Sequence, residues 1–319
     1  MTTIRPMQEA DLDAVRSVDA AAFGAWREGL TGQKEVLPPR THANVVALRE
    51  KDPDGCFVAE HERSVVGFIF SRTWGSVAWF GTFAVLPEYQ RRGIGQRLLA
   101  ASLRYLRLVP QRVIGLETMP ESPYNLGLYL KHGFRPSLPT LLLIKRLERV
   151  PTGDPGLAHW SRANVETRRR WLTDLRKTTH AIQPGLDYSK EITSTARHGF
   201  GDTLLLRAGT RAIGMSTLWL TSPQEDPDHK KASIQIMTID PACTTEDSFQ
   251  ALIQSTETLA HLHNRPDITV PVNTRHTWAV DQLLDAGYRV ERLSVRMILD
   301  GTNTTPPTDE YVNLSRWAG

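Results

Sequence analysis

Short apolar, β-branched runs alternate along this chain with longer segments whose apolar residues recur every three or four positions, the pattern of strands feeding helices. Residues 2–6 read as a first strand, and Asp11-Leu12-Asp13 opens a helix with acid in its first turn. Residues 25–41 mix Gly, Pro and charge and read as a loop or a broken helix. Residues 56–59 and 64–70 give a hairpin around the charged turn His61-Glu62-Arg63. The next strand, 78–85, is closed by Pro87, which cannot donate to a ladder. Gln90-Arg91-Arg92-Gly93-Ile94-Gly95 then leads into a helix with Leu98, Leu99, Leu103 and Leu106 on one side. A strand at 113–118, a helix at 123–132 ended by Gly133 at its C′ position, and a strand at 141–144 complete a unit that closes near residue 149.

Residues 150–156, VPTGDPG, are a Pro/Gly linker. Beyond it the pattern repeats. Residues 202–207 and 211–220 give a second hairpin, 233–239 a strand closed by Pro241, 246–262 an amphipathic helix and 268–272 another strand. Pro87 to Pro241 and Gly133 to Gly287 are both steps of 154 positions. At that step Gln90 falls on Thr244, Gly93 on Asp247, Gly95 on Phe249 and Tyr129 on Leu283. The sequence predicts four parts: 1–149, the linker 150–156, a second copy of the unit at 157–300, and a Thr/Pro-rich tail at 301–319 whose aromatics dock it.

The chain of 319 residues is long enough for two cores. Its formal charge of +3 is slight and its arginines form no stripe, which argues against a nucleic-acid partner. Two distant cysteines, Cys56 and Cys243, make no disulfide framework and suit a reducing compartment. There is no membrane-length apolar run and no apolar leader, so the expectation is a cytoplasmic protein that does not engage a membrane. His261 and His263, two apart on a helix, do not share a face, and no metal site is expected.

The turn at 90–95 carries the chemistry. A helix N-terminus has amides without internal partners and a partial positive charge. Glycines at 93 and 95 keep Cβ atoms away from an incoming phosphate, while Gln90, Arg91 and Arg92 add donors and charge. No Lys-Ser/Thr follows, so this is not a P-loop, and a dinucleotide fingerprint lacks its third glycine. At the shifted positions an aspartate would repel a pyrophosphate and a phenylalanine would fill its place, so the second copy reads as one without a cofactor.

The pattern Ala84-Val85-x-Pro87-x-x-Gln90-x-x-Gly93-x-Gly95, with Leu128-Tyr129-Leu130-Lys131-His132-Gly133-Phe134 downstream, resembles the acetyl-CoA signature and second landmark of the GNAT superfamily of N-acetyltransferases. The resemblance implies an α/β fold with a mixed sheet, present as two tandem GNAT units of which the second is degenerate. It implies acetyl-CoA as co-substrate and acetyl transfer to the amine of a small molecule, with a protein or peptide acceptor and a non-catalytic acyl-CoA-binding module as alternatives. It places the pyrophosphate on the amides of Arg91, Arg92, Gly93, Ile94, Gly95 and Gln96. Phe83, Ala84 and Val85 face the pantetheine and thioester, and the Val85 amide polarises the acetyl carbonyl. Tyr129 stands as general acid for the departing thiolate, or as a packing residue on the cofactor. The family's Asn on the pantetheine arm is Ser122 here, with Asn125 displaced. The strand at 78–85 carries no carboxylate, so the base is open: Glu117 leads, with Glu28 or the terminal carboxylate behind it. The region at 25–41 walls the acceptor site in the family, which makes Trp26, Glu28 and Glu35 substrate-binding candidates.

Overall fold

The computed structural model describes residues 1–108, 113–148, 157–300 and 311–315. Strands β1 (Thr2–Pro6), β2 (Phe57–His61), β3 (Ser64–Trp74) and β4 (Val77–Val85) pair antiparallel in chain order, and β5 (Val113–Thr118) lies parallel to β4. Helices α1 (Leu12–Thr31) and α2 (His42–Lys51) cover one face, and α3 (Ile94–Leu108) and α4 (Pro123–Lys131) the other. The middle strand shows why both faces are closed. Phe68 and Phe70 pack into the first layer and Ile69 between them into the second, as the period of two requires.

Two strands end the first half, β6 (Phe134–Pro136) and β7 (Thr140–Arg146). The second half runs β8 (Ala158–His159), α5 (Val165–Ile182), α6 (Ser189–Arg197), β9 (Gly201–Ala208), β10 (Arg211–Trp219), β11 (Lys231–Ile239), α7 (Glu246–Leu262), β12 (Asp267–Asn273), α8 (Thr277–Asp285), β13 (Arg289–Leu299) and β14 (Val312–Ser315). All strands join one mixed sheet in the order β1-β2-β3-β4-β5-β13-β7-β12-β11-β10-β9-β8, with β6 beside β13 and β14 beside β11. Among the described residues no helix is long and apolar enough to cross a membrane.

The halves exchange their last long strands. β13 pairs with β5 (Val295 opposite Thr118), and β7 pairs with β12 (Leu141 opposite Val272). Thr118 to Val272 and Leu141 to Val295 are both steps of 154, so the exchange is two-fold symmetric to the residue. The axis passes through the paired residues Thr140 and Ser294, themselves 154 apart.

A second symmetry concerns where pairing stops. β4 and β5 pair only at Val77–Val113, Ala78–Ile114 and Trp79–Gly115, then part. β11 and β12 pair only at Lys231–Asp267, Ala232–Ile268 and Ser233–Thr269, the same three pairs shifted by 154. Each half therefore has a notch between parallel strands. The second notch is filled: β14 lies antiparallel on Ile236, Met237, Thr238 and Ile239 of β11.

The sequence misled in three places. Residues 25–41 are not a loop from their start, because α1 continues to Thr31 and ends where Gly32 adopts φ 70°. Gly24 and Gly29 lie inside that helix, each weakening it by about 1 kcal/mol relative to Ala, which masks the continuation. Helices α5 and α6 were not expected, although Trp171, Leu175, Thr178 and Ile182 recur at helical spacing. The tail expectation is half right: Tyr311 docks, 8% exposed with its ring against His276, but the docked piece is a strand. The linker 150–156 and the terminal carboxylate lie outside the described residues.

Leu314 is fully buried on β14 among the core residues of the second half. Leu314→Ala is expected to lower the unfolding free energy by about 2–5 kcal/mol in urea titration. An unchanged midpoint would mean that β14 does not hold the second notch closed.

Candidate active site

The turn before α3 is shaped by its backbone. Arg91 and Gly93 have φ of 59° and 75°, so left-handed residues alternate along the turn and aim successive amides to one side, a nest for an anion. A Cβ on Gly93 would meet nothing, so this glycine serves conformation rather than space. A Cβ on Gly95 would stand 3.3 Å from the Phe83 ring, so that glycine lets α3 approach β4. Among the described residues no side chain accepts from the amides of Ile94, Gly95 or Gln96, and the first helical bond is Arg97 N–H to Gly93 O. The second copy differs: Thr245 and Ser248 cap α7 reciprocally, and Glu246 and Asp247 fill its first turn. The Gln90 side-chain amide donates to Val85 O at 3.0 Å, while Arg92 stacks on the Tyr89 ring.

Below the nest, the parted strands β4 and β5 open into a cavity of about 480 Å³ that residues of both halves line. Phe83, Glu117, Asn125 and Tyr129, singled out from the sequence, all line it. Leu86 N–H bonds Val66 O, so the antiparallel alternation turns the Val85 N–H away from β3 and into the notch. Ser122 instead caps α4, accepting from Asn125 N–H. Tyr129 packs against Phe80 and Phe134, with ring centroids 5.7 and 6.3 Å away. Burial raises its phenol well above the ordinary range, so it holds its proton.

Glu117 is tightly engaged. Oε1 accepts from Thr140 Oγ1 and from Arg296 Nε and Nη2 (3.2 and 3.0 Å), and Oε2 accepts from Ser294 Oγ at 2.9 Å. Two of these partners, Thr140 and Ser294, are the residues on the two-fold axis. Burial lowers the pKa of the Arg296 guanidinium, and Glu117 opposes that shift. A carboxylate offers about four acceptor positions, so Oε2 retains one.

The far wall comes from β7, β12, β13 and two loops. Thr41 N–H donates to Pro223 O (2.9 Å) and Glu225 N–H to Pro39 O (2.8 Å), latching the loop after α1 to the loop after β10. Arg40, in that latch, binds Asp19 (3.2 Å), Asn44 (3.1 Å) and Thr82 Oγ1 (2.9 Å). Trp26, Glu28 and Glu35 do not line the cavity. Trp26 is half-buried, Glu28 and Glu35 are exposed, and Glu35 pairs with Arg27. Their neighbours Phe23 and Arg40 take that place. Thr140, Arg292 and Ser294 were missed as site residues. Only the strand exchange brings β13 to β5, although the step of 154 already linked Thr140 with Ser294.

Removing one partner of a buried ion pair strands the other. Glu117→Ala is expected to destabilise the fold by about 3–5 kcal/mol, and combining it with Arg296→Met to restore most of that loss in urea melts. Full stability in the single variant would show that the pair is not holding β13 to β5.

Residues 23–134 match the family model described as the acetyltransferase (GNAT) family. No curated protein matches the sequence. Among solved structures, a candidate acetyltransferase from Pyrococcus horikoshii superposes with TM-score 0.69 at 18% identity, over 99% of this chain and 95% of the other. A GCN5-related N-acetyltransferase from Sphaerobacter thermophilus gives TM-score 0.59 at 15% identity, over 93% and 95%. A tandem GNAT protein from the clavulanic acid biosynthesis pathway gives 0.59 at 14%, over 96% and 100%. Residues 23–134 thus match a GNAT acetyltransferase domain, and the duplicated sheet has the two-domain tandem GNAT-like fold.

Proposed function

We propose that the protein transfers the acetyl group of acetyl-CoA to the amine of a small molecule, using the first half alone for the cofactor. One contrast carries the reading: two notches of identical register, one open beneath uncapped helix amides and one closed by β14 beneath a capped helix. Acetyl-CoA supplies the activated acetyl group, and the residues present fit it. The amides of residues 91–96 hold its pyrophosphate, the open edge of Phe83, Ala84 and Val85 holds the pantetheine, and Asn125 flanks the arm. In the second half β14 consumes the corresponding edge, residues 236–239.

The Val85 N–H stabilises the negative charge that develops on the acetyl oxygen. Tyr129 holds its proton at the phenol oxygen until a thiolate departs. The free position on Glu117 Oε2 accepts a hydrogen bond from the incoming ammonium and takes its proton. A cavity of about 480 Å³, roofed by the 39–41 and 223–225 latch, suits a small acceptor better than a protein tail. The engagement of Glu117 by three side chains favours one second reading, an acyl-CoA-binding module without catalysis.

Calorimetric titration of acetyl-CoA is the test, on wild type and on a Gly93→Asp, Gly95→Phe double variant that copies the second half onto the first. One equivalent should bind wild type and none the variant; binding by the variant would sink the division of labour, and no binding by wild type would sink the enzyme reading. With an acceptor in hand, Tyr129→Phe should lower kcat by about a hundredfold or more. Because burial raises the Tyr129 pKa, its proton stays in place as pH rises, and kcat/KM should climb with amine deprotonation and not fall below about pH 10. Unchanged transfer in Tyr129→Phe would leave the binding module as the better account.

A further inference from the structure

The acceptor end of the cavity carries more positive charge than its one carboxylate balances. Arg292 stands two residues before Ser294 on β13, so both side chains share a face of the strand, and both line the cavity with Glu117. The register of β13 on β7 shifts between Val290 and Arg292, leaving Glu291 as the extra residue of a bulge, a device that re-aims a side chain. Glu291 itself pairs with Lys231. Among the described residues the Arg292 side chain has no hydrogen bond and no ion pair.

The surrounding charges are otherwise spoken for. Glu117, the one carboxylate among the described lining residues, is paired with Arg296, and Arg40 is balanced by Asp19. With Glu117 already paired to Arg296, the charge of Arg292 is left unbalanced at the cavity wall, which disfavours a plain ammonium and favours a molecule that brings its own negative charge.

We propose that the acceptor amine carries an anionic group, a carboxylate or a phosphate, which the guanidinium of Arg292 binds while the amine meets Glu117. This rests on the acetyltransferase reading. Arg292 and Ser294 stand about 6–7 Å apart along the strand, a gap that one small molecule bridges. Arginine suits both anions because its planar fork binds either in two-point fashion.

The test uses matched amines that differ in the anion: phenylalanine against phenylalaninamide for a carboxylate, glucosamine 6-phosphate against glucosamine for a phosphate. CoA release is followed with the full chain. In at least one pair the anionic member should have a kcat/KM higher by about tenfold or more, chiefly through KM, because a charge-assisted hydrogen bond to the anion strengthens binding. Arg292→Gln should abolish the preference and Arg292→Lys keep part of it, with both variants melting near wild type because the residue is exposed. Equal use of both members, or a preference that survives Arg292→Gln, overturns the inference. Should none of the four be acetylated while acetyl-CoA still binds, inorganic phosphate is titrated into the acetyl-CoA complex. Binding to wild type and not to Arg292→Gln supports the proposal; equal binding or none overturns it. Absence of acetyl-CoA binding instead sinks the parent reading.

Discussion

A parallel strand pair that stops pairing frees backbone groups that need new partners, and this molecule contains that situation twice. In both halves three residue pairs form before the strands diverge, at positions related by a single step of 154. The second half resolves the problem internally, with β14 running along the freed edge of β11. In the first half Thr82 and Phe83 of the corresponding edge line a cavity, near a turn whose left-handed residues leave helix amides open. The difference between an open cleft and a closed core here is the four-residue strand β14.

The exchange of β7 and β13 decides what that cleft contains. Had each half kept its own last strand, β5 would lie beside β7, and Glu117 would lack Arg296. With the exchange, Arg296 reaches Glu117 from the other half, and Ser294 and Thr140 close on the carboxylate from either side of the two-fold axis. The pair that ties the halves together therefore also sets the charge at the floor of the cavity.

Much of this was legible in the chain. The strand-turn-helix at 78–108, the C′ glycine at 133 and the repeat at a step of 154 are local patterns, and each is found where its residues predict. Tyr129, Glu117, Phe83 and Asn125 converge on the cavity because they sit on elements whose order is legible. The roles of the glycines were less so. Gly93 is needed for its φ and Gly95 for its contact with Phe83, which a sequence shows only as two absent side chains. Arg292 was illegible because partner choice between equivalent strands carries no local signal. In a duplicated chain β5 finds the same kind of apolar strand in β7 as in β13, and only tertiary context selects between them.

The same symmetry explains why a duplicated fold holds a single asymmetric site. Glu117 opposite Arg296 corresponds, at the step of 154, to Pro271 opposite Leu142. Because the axis passes through Thr140 and Ser294 at the cavity wall, Glu117 borders the same space as Pro271 and Leu142. One copy contributes a charged floor and the other an apolar wall. A second charged pair there would place two carboxylates and two arginines around one small cavity, at a desolvation penalty of several kcal/mol per buried ion. Keeping one polar and one apolar version gives the cavity a direction, with a polar end at Glu117 and an apolar wall at Pro271 and Leu142, and that direction follows from the strand exchange.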